Sequence, residues 1–245
     1  MTGLILALQF LTRLPMPRVA ADADRFAASI RWFPAAGLVV GAIVAGAGWL
    51  GALVDPWVGA AAALAAWVLV TGALHLDGLG DLTDATAAAH KLADPAARRE
   101  KLLAVLGDPH IGSFGVVAIV VQLLAKLVLL HAIVEAGALA LLPTLAAAAR
   151  IGPLIWARWL PPLHAGLGSR FSSAVRTVDL VVWGALLLAA ALLLAPGYAL
   201  AVPAIGGWLL WLRHRIGGIS GDAHGAGIEL VEAALLLALA VLALR

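Results

Sequence analysis

The chain has 245 residues, of which 63% are hydrophobic and 12% charged. A soluble domain carries about 25% charged residues, so there is too little polar surface here to coat a water-soluble globule. The net charge of +2 gives no case for a nucleic-acid partner, and the lack of cysteine excludes disulfides, thiolate catalysis and Cys-ligated metals.

In chain order, a short apolar stretch comes first, Leu4–Leu11. No Lys or Arg precedes it, so it lacks a signal-peptide n-region. It is too short to cross a bilayer, and a shallow interfacial or re-entrant helix is expected. Seven candidate spans follow: Ala35–Val54, Trp57–Leu74, Phe114–Val134, Ala138–Ile155, Leu180–Pro196, Tyr198–Leu212 and Leu230–Leu244. The first two contain no charged residue and approach the ~20 residues that hydrocarbon requires. The runs are continuous and rich in Leu and Ala, without the alternation of a barrel strand. The expected fold is all-α: a polytopic transmembrane helical bundle of about seven spans plus the N-terminal helix, forming one domain over residues 1–245.

The connections give an orientation. Arg13, Arg18, Arg25, Arg31, Lys91, Arg98, Arg99, Lys101, Arg158, Arg170, Arg176, Arg213 and Arg215 all fall before the first span or in alternate loops. The other connections, at Asp55-Pro56, Glu135–Gly137 and Pro196-Gly197, hold no Lys or Arg. Positive loops stay inside, so the loaded face is expected to be cytoplasmic, with the N-terminus inside and the C-terminus, at Arg245, outside. The long inner connection His75–Ser113 is expected to carry the function.

Three segments carry chemistry. His75-Leu76-Asp77-Gly78-Leu79-Gly80-Asp81-Leu82-Thr83-Asp84 places Asp77, Asp81 and Asp84 at i, i+4 and i+7, one face of a helix. Acids also gather at helix N-termini for simple dipole reasons. Three within eight residues, in a chain with only fourteen acids, point instead to a cation held between them. Hard carboxylate oxygens favour Mg²⁺, which bridges substrate phosphates. Gly107-Asp108-Pro109-His110-Ile111-Gly112-Ser113-Phe114-Gly115 reads equally as a turn that launches a helix or as a phosphate site. In the second reading Gly112 and Ser113 bind the anion and Asp108 completes a metal site. Gly217–Ala226 is glycine-rich, and its Gly221 and Gly225 could cradle phosphates. Asp222 follows Gly221, and Glu229 and Glu232 then enter an apolar span, which is expensive for a mere surface helix; the other reading is an interfacial helix cap with solvated acids. Lys126 and Arg150 lie inside spans; an internal ion pair suits Lys126 as well as catalysis does.

Jointly these segments resemble the cobalamin synthase (adenosylcobinamide-GDP ribazoletransferase) family. His75–Asp84 is similar to its HLDGLAD-type motif, Asp108–Gly115 to its D-x-x-x-G-x-F-G stretch, and Ser220–Ala226 with Glu229 and Glu232 to its TGD-x-x-GA segment. Leu8–Pro15 and Phe33-Pro34 with Gly37 fit its start. Gly80, Ala85, Pro109 and Ser220 depart from the usual residues, all away from the carboxylates. The resemblance implies a Mg²⁺-dependent transferase of the bacterial cytoplasmic (inner) membrane. It would join adenosylcobinamide-GDP to α-ribazole or its 5′-phosphate and release GMP. Asp77, Asp81, Asp84 and Asp222 would hold metal. His75, Asp81, Asp222 and Glu229 would supply acid–base groups. A CDP-alcohol phosphotransferase is the competing enzyme, but no Asp precedes Asp77 by three as its motif requires. A transporter is the non-enzyme alternative; broken helices and midplane acids would favour it.

Overall fold

The computed structural model describes residues 2–164 and 170–243. Among them there is no β-strand, only one isolated parallel bridge between Pro162 and Ile219. The helices are α1 (Thr2–Leu11), α2 (Ala23–Ala28), α3 (Phe33–Ala52), α4 (Pro56–Thr71), α5 (Leu74–Ala89), α6 (Pro95–Leu106) and α7 (Ser113–Glu135). They continue as α8 (Leu142–Ala149), α9 (Gly152–Trp159), α10 (Phe171–Ala174), α11 (Thr177–Leu193), α12 (Ala201–Arg215) and α13 (Gly221–Ala243).

Four stretches are long and apolar enough to cross a membrane: Ala23–Ala52, Ser113–Glu135, Leu139–Trp159 and Gly221–Leu242. A fifth arises if α4 and α5, bent by 81° at their junction, form one broken span. Length and composition of the described helices do not confirm the count of about seven spans read from the sequence. Helices α11 and α12 have only 17 and 15 residues, and α12 ends in Arg213, His214 and Arg215. The expected loop over residues 75–113 is largely helical, comprising α5 and α6. The last span starts at Gly221, not Leu230, so the acids of that segment lie inside a long helix. Leu244 and Arg245 fall outside the described residues, as does any placement of the C-terminus.

Small residues set the packing. In lipid the hydrophobic effect does not drive helices together, so close backbone approach must. Gly37 and Gly41 lie one turn apart on α3. A Cβ at Gly37 would stand 2.5 Å from the Ala146 carbonyl oxygen, and one at Gly41 would meet the Leu142 carbonyl. Gly51 and Gly59 bring α3 against α4 in the same way. Helix α1 is held at the other edge by Phe10, whose ring stacks on Phe33 at 5.8 Å and meets Phe26 edge-on at 5.3 Å.

The α4–α5 junction positions the acid segment. Gly72 (φ 61°) and Ala73 (φ 59°) are both left-handed, a conformation that costs Ala roughly 1–2 kcal/mol. The backbone N–H of Arg13 donates to Val70 O at 2.8 Å, and the Arg13 side chain covers the face where Gly72 would carry a Cβ. The N-terminal segment thus braces the break.

Candidate active site

Helices α5 and α13 run antiparallel in direct backbone contact. A Cβ on Gly78 would lie 2.8 Å from Asp222 Cα, and one on Gly225 would lie 3.1 Å from His75 Cα. The two glycines remove the side chains that would hold the helices apart. Asp77, Asp81 and Asp222 are thereby drawn together from segments far apart in the chain. The negative charges of Asp77, Asp222 and Asp84 all bear on Asp81, and that of Asp77 bears on Asp222.

Other contacts fix the start of α13. Ser220 is its N-cap: Ser220 Oγ accepts from the Ala223 N–H at 3.1 Å and lies 3.4 Å from Asp222 Oδ2. The bridge Leu163 N–H to Ile219 O, with Ile219 N–H to Pro161 O, both at 2.9 Å, carries His164 toward Asp222.

The acids do not share one role. Asp84 Oδ2 accepts from the Gly112 N–H at 2.7 Å and Oδ1 from the Gly115 N–H at 3.0 Å. Its carboxylate fills the anion position at the N-terminus of α7, where one of the two equal sequence readings put phosphate on Gly112 and Ser113; the other, a turn that launches a helix, is also present, since α7 starts at Ser113. Helix dipole and free N–H groups make that seat attractive to any anion, and the chain's own aspartate takes it. A Cβ at Gly112 or Gly115 would collide with this carboxylate. Ser113 is exposed beside it. Asp108 stands apart, exposed and bonded to His110 Nδ1 at 2.7 Å, which holds its carboxyl below the usual carboxylate range.

Among the described residues, Asp77, Asp81 and Asp222 have no ion pair with Lys or Arg. Among the same residues, no three His, Asp or Glu side chains close into a ready ligand shell. Mg²⁺ does not need one. It keeps several waters and binds through one or two carboxylates plus substrate phosphates. The donor set fits that ion: hard oxygens, like charges side by side, and no Lys or Arg paired with them among the described residues.

A second polar group lies deeper. Lys126 Nζ is 2.7 Å from Glu229 Oε2 and 2.5 Å from Glu232 Oε2, and it sits 4.4 Å from the centre of the Trp67 ring. Gln122 Nε2 donates to Glu229 Oε2 at 2.9 Å, and Arg150 Nη1 donates to Glu232 Oε1 at 2.7 Å. All five side chains are buried. Glu229 is therefore engaged two turns along α13 from Asp222, away from the open carboxylates. His75 is also buried, near these charges rather than beside Asp81, and neither ring nitrogen has a partner among the described residues. Gln122 was not singled out by sequence, although its position four residues before Lys126, on the same face of a span, was a usable signal. Gly221 faces open space, whereas Gly225 serves helix contact rather than a phosphate cradle.

The match to known proteins covers this whole arrangement. The family model described as Cobalamin-5-phosphate synthase matches residues 3–240. The chain belongs to this family. It is 59% identical to an adenosylcobinamide-GDP ribazoletransferase of Novosphingobium aromaticivorans, over 98% of this chain and 97% of that one. A protein of the same name from Thiobacillus denitrificans is 49% identical, over 97% of this chain and 94% of its own. One from Brevibacillus brevis is 32% identical, over 98% of each. No solved structure matches the chain. Membership spans both the carboxylate cluster and the buried ion pairs.

One prediction tests the helix contact. Gly78→Ala places a methyl against the Asp222 backbone, which has no flexible end to yield. The expected cost is about 1–3 kcal/mol of stability, together with weaker divalent-metal binding as Asp222 moves away. Thermal unfolding and metal titration of the purified variant check both.

Proposed function

We propose that the chain is an adenosylcobinamide-GDP ribazoletransferase. A ribose hydroxyl of α-ribazole, or of its 5′-phosphate, attacks the phosphorus joined to the cobinamide side chain. The new O–P bond forms as the bond to the GMP oxygen breaks, and the hydroxyl proton passes to a carboxylate, Asp81 or Asp222. The products are adenosylcobalamin, or its 5′-phosphate, and GMP. The observation that carries this reading is the α5–α13 contact, which sets Asp77, Asp81 and Asp222 together with no Lys or Arg partner among the described residues.

Asp77, Asp81 and Asp222 would hold Mg²⁺. Bound there, the ion would offset diphosphate charge during displacement, the main requirement of phosphoryl transfer. Asp84 keeps the N-terminus of α7 closed and holds α5 against it. His75 and Glu229 act from behind: the first packs beneath the glycine contact, the second ties α13 to α7. We place the protein in the bacterial cytoplasmic membrane, with the carboxylates and the Arg-rich connections inside. The short helices α11 and α12 then complete seven crossings, tilted or in thinned lipid.

Purified protein in detergent should release GMP from adenosylcobinamide-GDP when α-ribazole and Mg²⁺ are supplied, without any ion gradient. EDTA should stop the release, and added Mg²⁺ should restore it. Absence of GMP release under all these conditions overturns the assignment. A transporter would instead move label across vesicles and leave the diphosphate intact.

A further inference from the structure

Beyond the carboxylates, the last turns of α5 reach a concave surface. Its last turns face α6 and the end of α12 across a cavity of about 400 Å³ lined by Thr86, His90, Arg98, Trp211, His214 and Arg215. A second cavity of about 260 Å³ adjoins it, sharing Arg98, His214 and Arg215 and adding Arg99 and Arg213. Both fall near or within the size range of small-ligand sites.

The charge of this groove is one-sided. Four arginines and two histidines line it, and no acidic residue does. None of the four arginines has a carboxylate partner among the described residues. Arg98 is nevertheless held in place, donating to Leu92 O at 2.7 Å, and Arg99 donates to Leu163 O at 3.1 Å. Like charges gathered on facing walls repel, and an anion between them relieves the repulsion. Arginine's planar fork suits phosphate oxygens in particular. Loop arginines that merely fix topology need only solvent; these form a cleft with an aromatic wall. Trp211 lines it, its ring stacked at 4.7 Å on Trp208, whose Nε1–H donates at 3.0 Å to Ala223 O on α13. A rigid aromatic beside clustered guanidinium groups matches a planar base joined to a phosphate.

We infer that the groove between α6 and the C-terminal end of α12 binds a nucleoside monophosphate. It opens two residues past Asp84 on the same helix, so a nucleotide held there stays beside the reacting diphosphate. Under the proposed reaction two molecules have this chemistry, the acceptor α-ribazole 5′-phosphate and the product GMP. That choice rests on the proposed function; the site itself does not.

The test uses the whole protein in phosphatidylcholine nanodiscs without divalent metal, so that the carboxylate group does not attract phosphate. Equilibrium binding of GMP, guanosine, α-ribazole 5′-phosphate and α-ribazole is measured. Wild type should bind each phosphate form at least tenfold more tightly than its unphosphorylated partner. Arg215→Gln should lower affinity for the phosphate forms about tenfold, the loss of one charge-assisted contact; Arg213→Gln serves if that variant fails to fold. Trp211→Ala should weaken GMP binding more than inorganic phosphate binding. Equal affinity for GMP and guanosine, or unchanged GMP binding in both arginine variants, overturns the site. So does loss of GMP binding when phosphatidylglycerol replaces phosphatidylcholine, which would assign the groove to lipid headgroups. If binding fails while GMP release persists, the groove is wrong and the reaction stands. If binding holds while no GMP is released, the reverse follows.

Discussion

Asp81→Asn and Asp222→Asn should each reduce the rate of GMP release by on the order of 10²–10³-fold, the scale of losing one group that stabilises transition-state charge. Each change keeps the shape of the side chain and removes its charge. Both residues are half-buried, and neither has a Lys or Arg partner among the described residues. Neither variant should therefore unfold; relief of repulsion with Asp77 should hold or raise the thermal midpoint. Stability and activity are expected to move apart, which separates a role in chemistry from a role in packing. Turnover within a few-fold of wild type in either variant would remove that residue from the mechanism.

Lys126→Met should have the opposite signature. It leaves two glutamates, Glu229 and Glu232, buried beside each other, with Arg150 as the remaining cation. Breaking a buried pair from one side costs about 3–5 kcal/mol. The purified variant should show a much lower thermal midpoint and poor yield. Pairing it with Glu229→Gln removes the orphaned charge and should recover most of the loss. If the single variant is as stable as wild type, the ion pairs do not hold α7 to α13. Activity follows stability here, since Lys126 touches neither Asp81 nor Asp222 through any contact in the structure.

Some of this was readable from the sequence. The spacing of Asp77, Asp81 and Asp84 indicated one helical face, and α5 has that face. What spacing could not tell was that Asp84 would turn to the backbone of α7, because that depends on where Gly112 and Gly115 arrive in space. The glycines of 217–226 suggested a phosphate cradle ahead of a span at Leu230, yet α13 starts at Gly221. Gly225 and Gly227 survive inside a helix because they meet His75 Cα and the Trp156 and Trp208 rings. Glycine as packing surface and glycine as loop look alike in one dimension. Hydropathy likewise suggested a full span at Trp57–Leu74, while two left-handed residues end α4 at Thr71. The pairing of Lys126 with acids was within reach; which acids, and that Gln122 joins them, required the fold.

The bend after Thr71 has a geometric corollary. As one straight rod, two arms of 16 residues each, with their two-residue joint, would measure about 50 Å, well beyond the ~30 Å of a hydrocarbon core. Folding the excess back makes the first arm an indexing shaft for the second. Each residue added to or deleted from it swings everything downstream by about 100°. The polar stripe of the second arm is thus aimed by the number of residues in the apolar first arm.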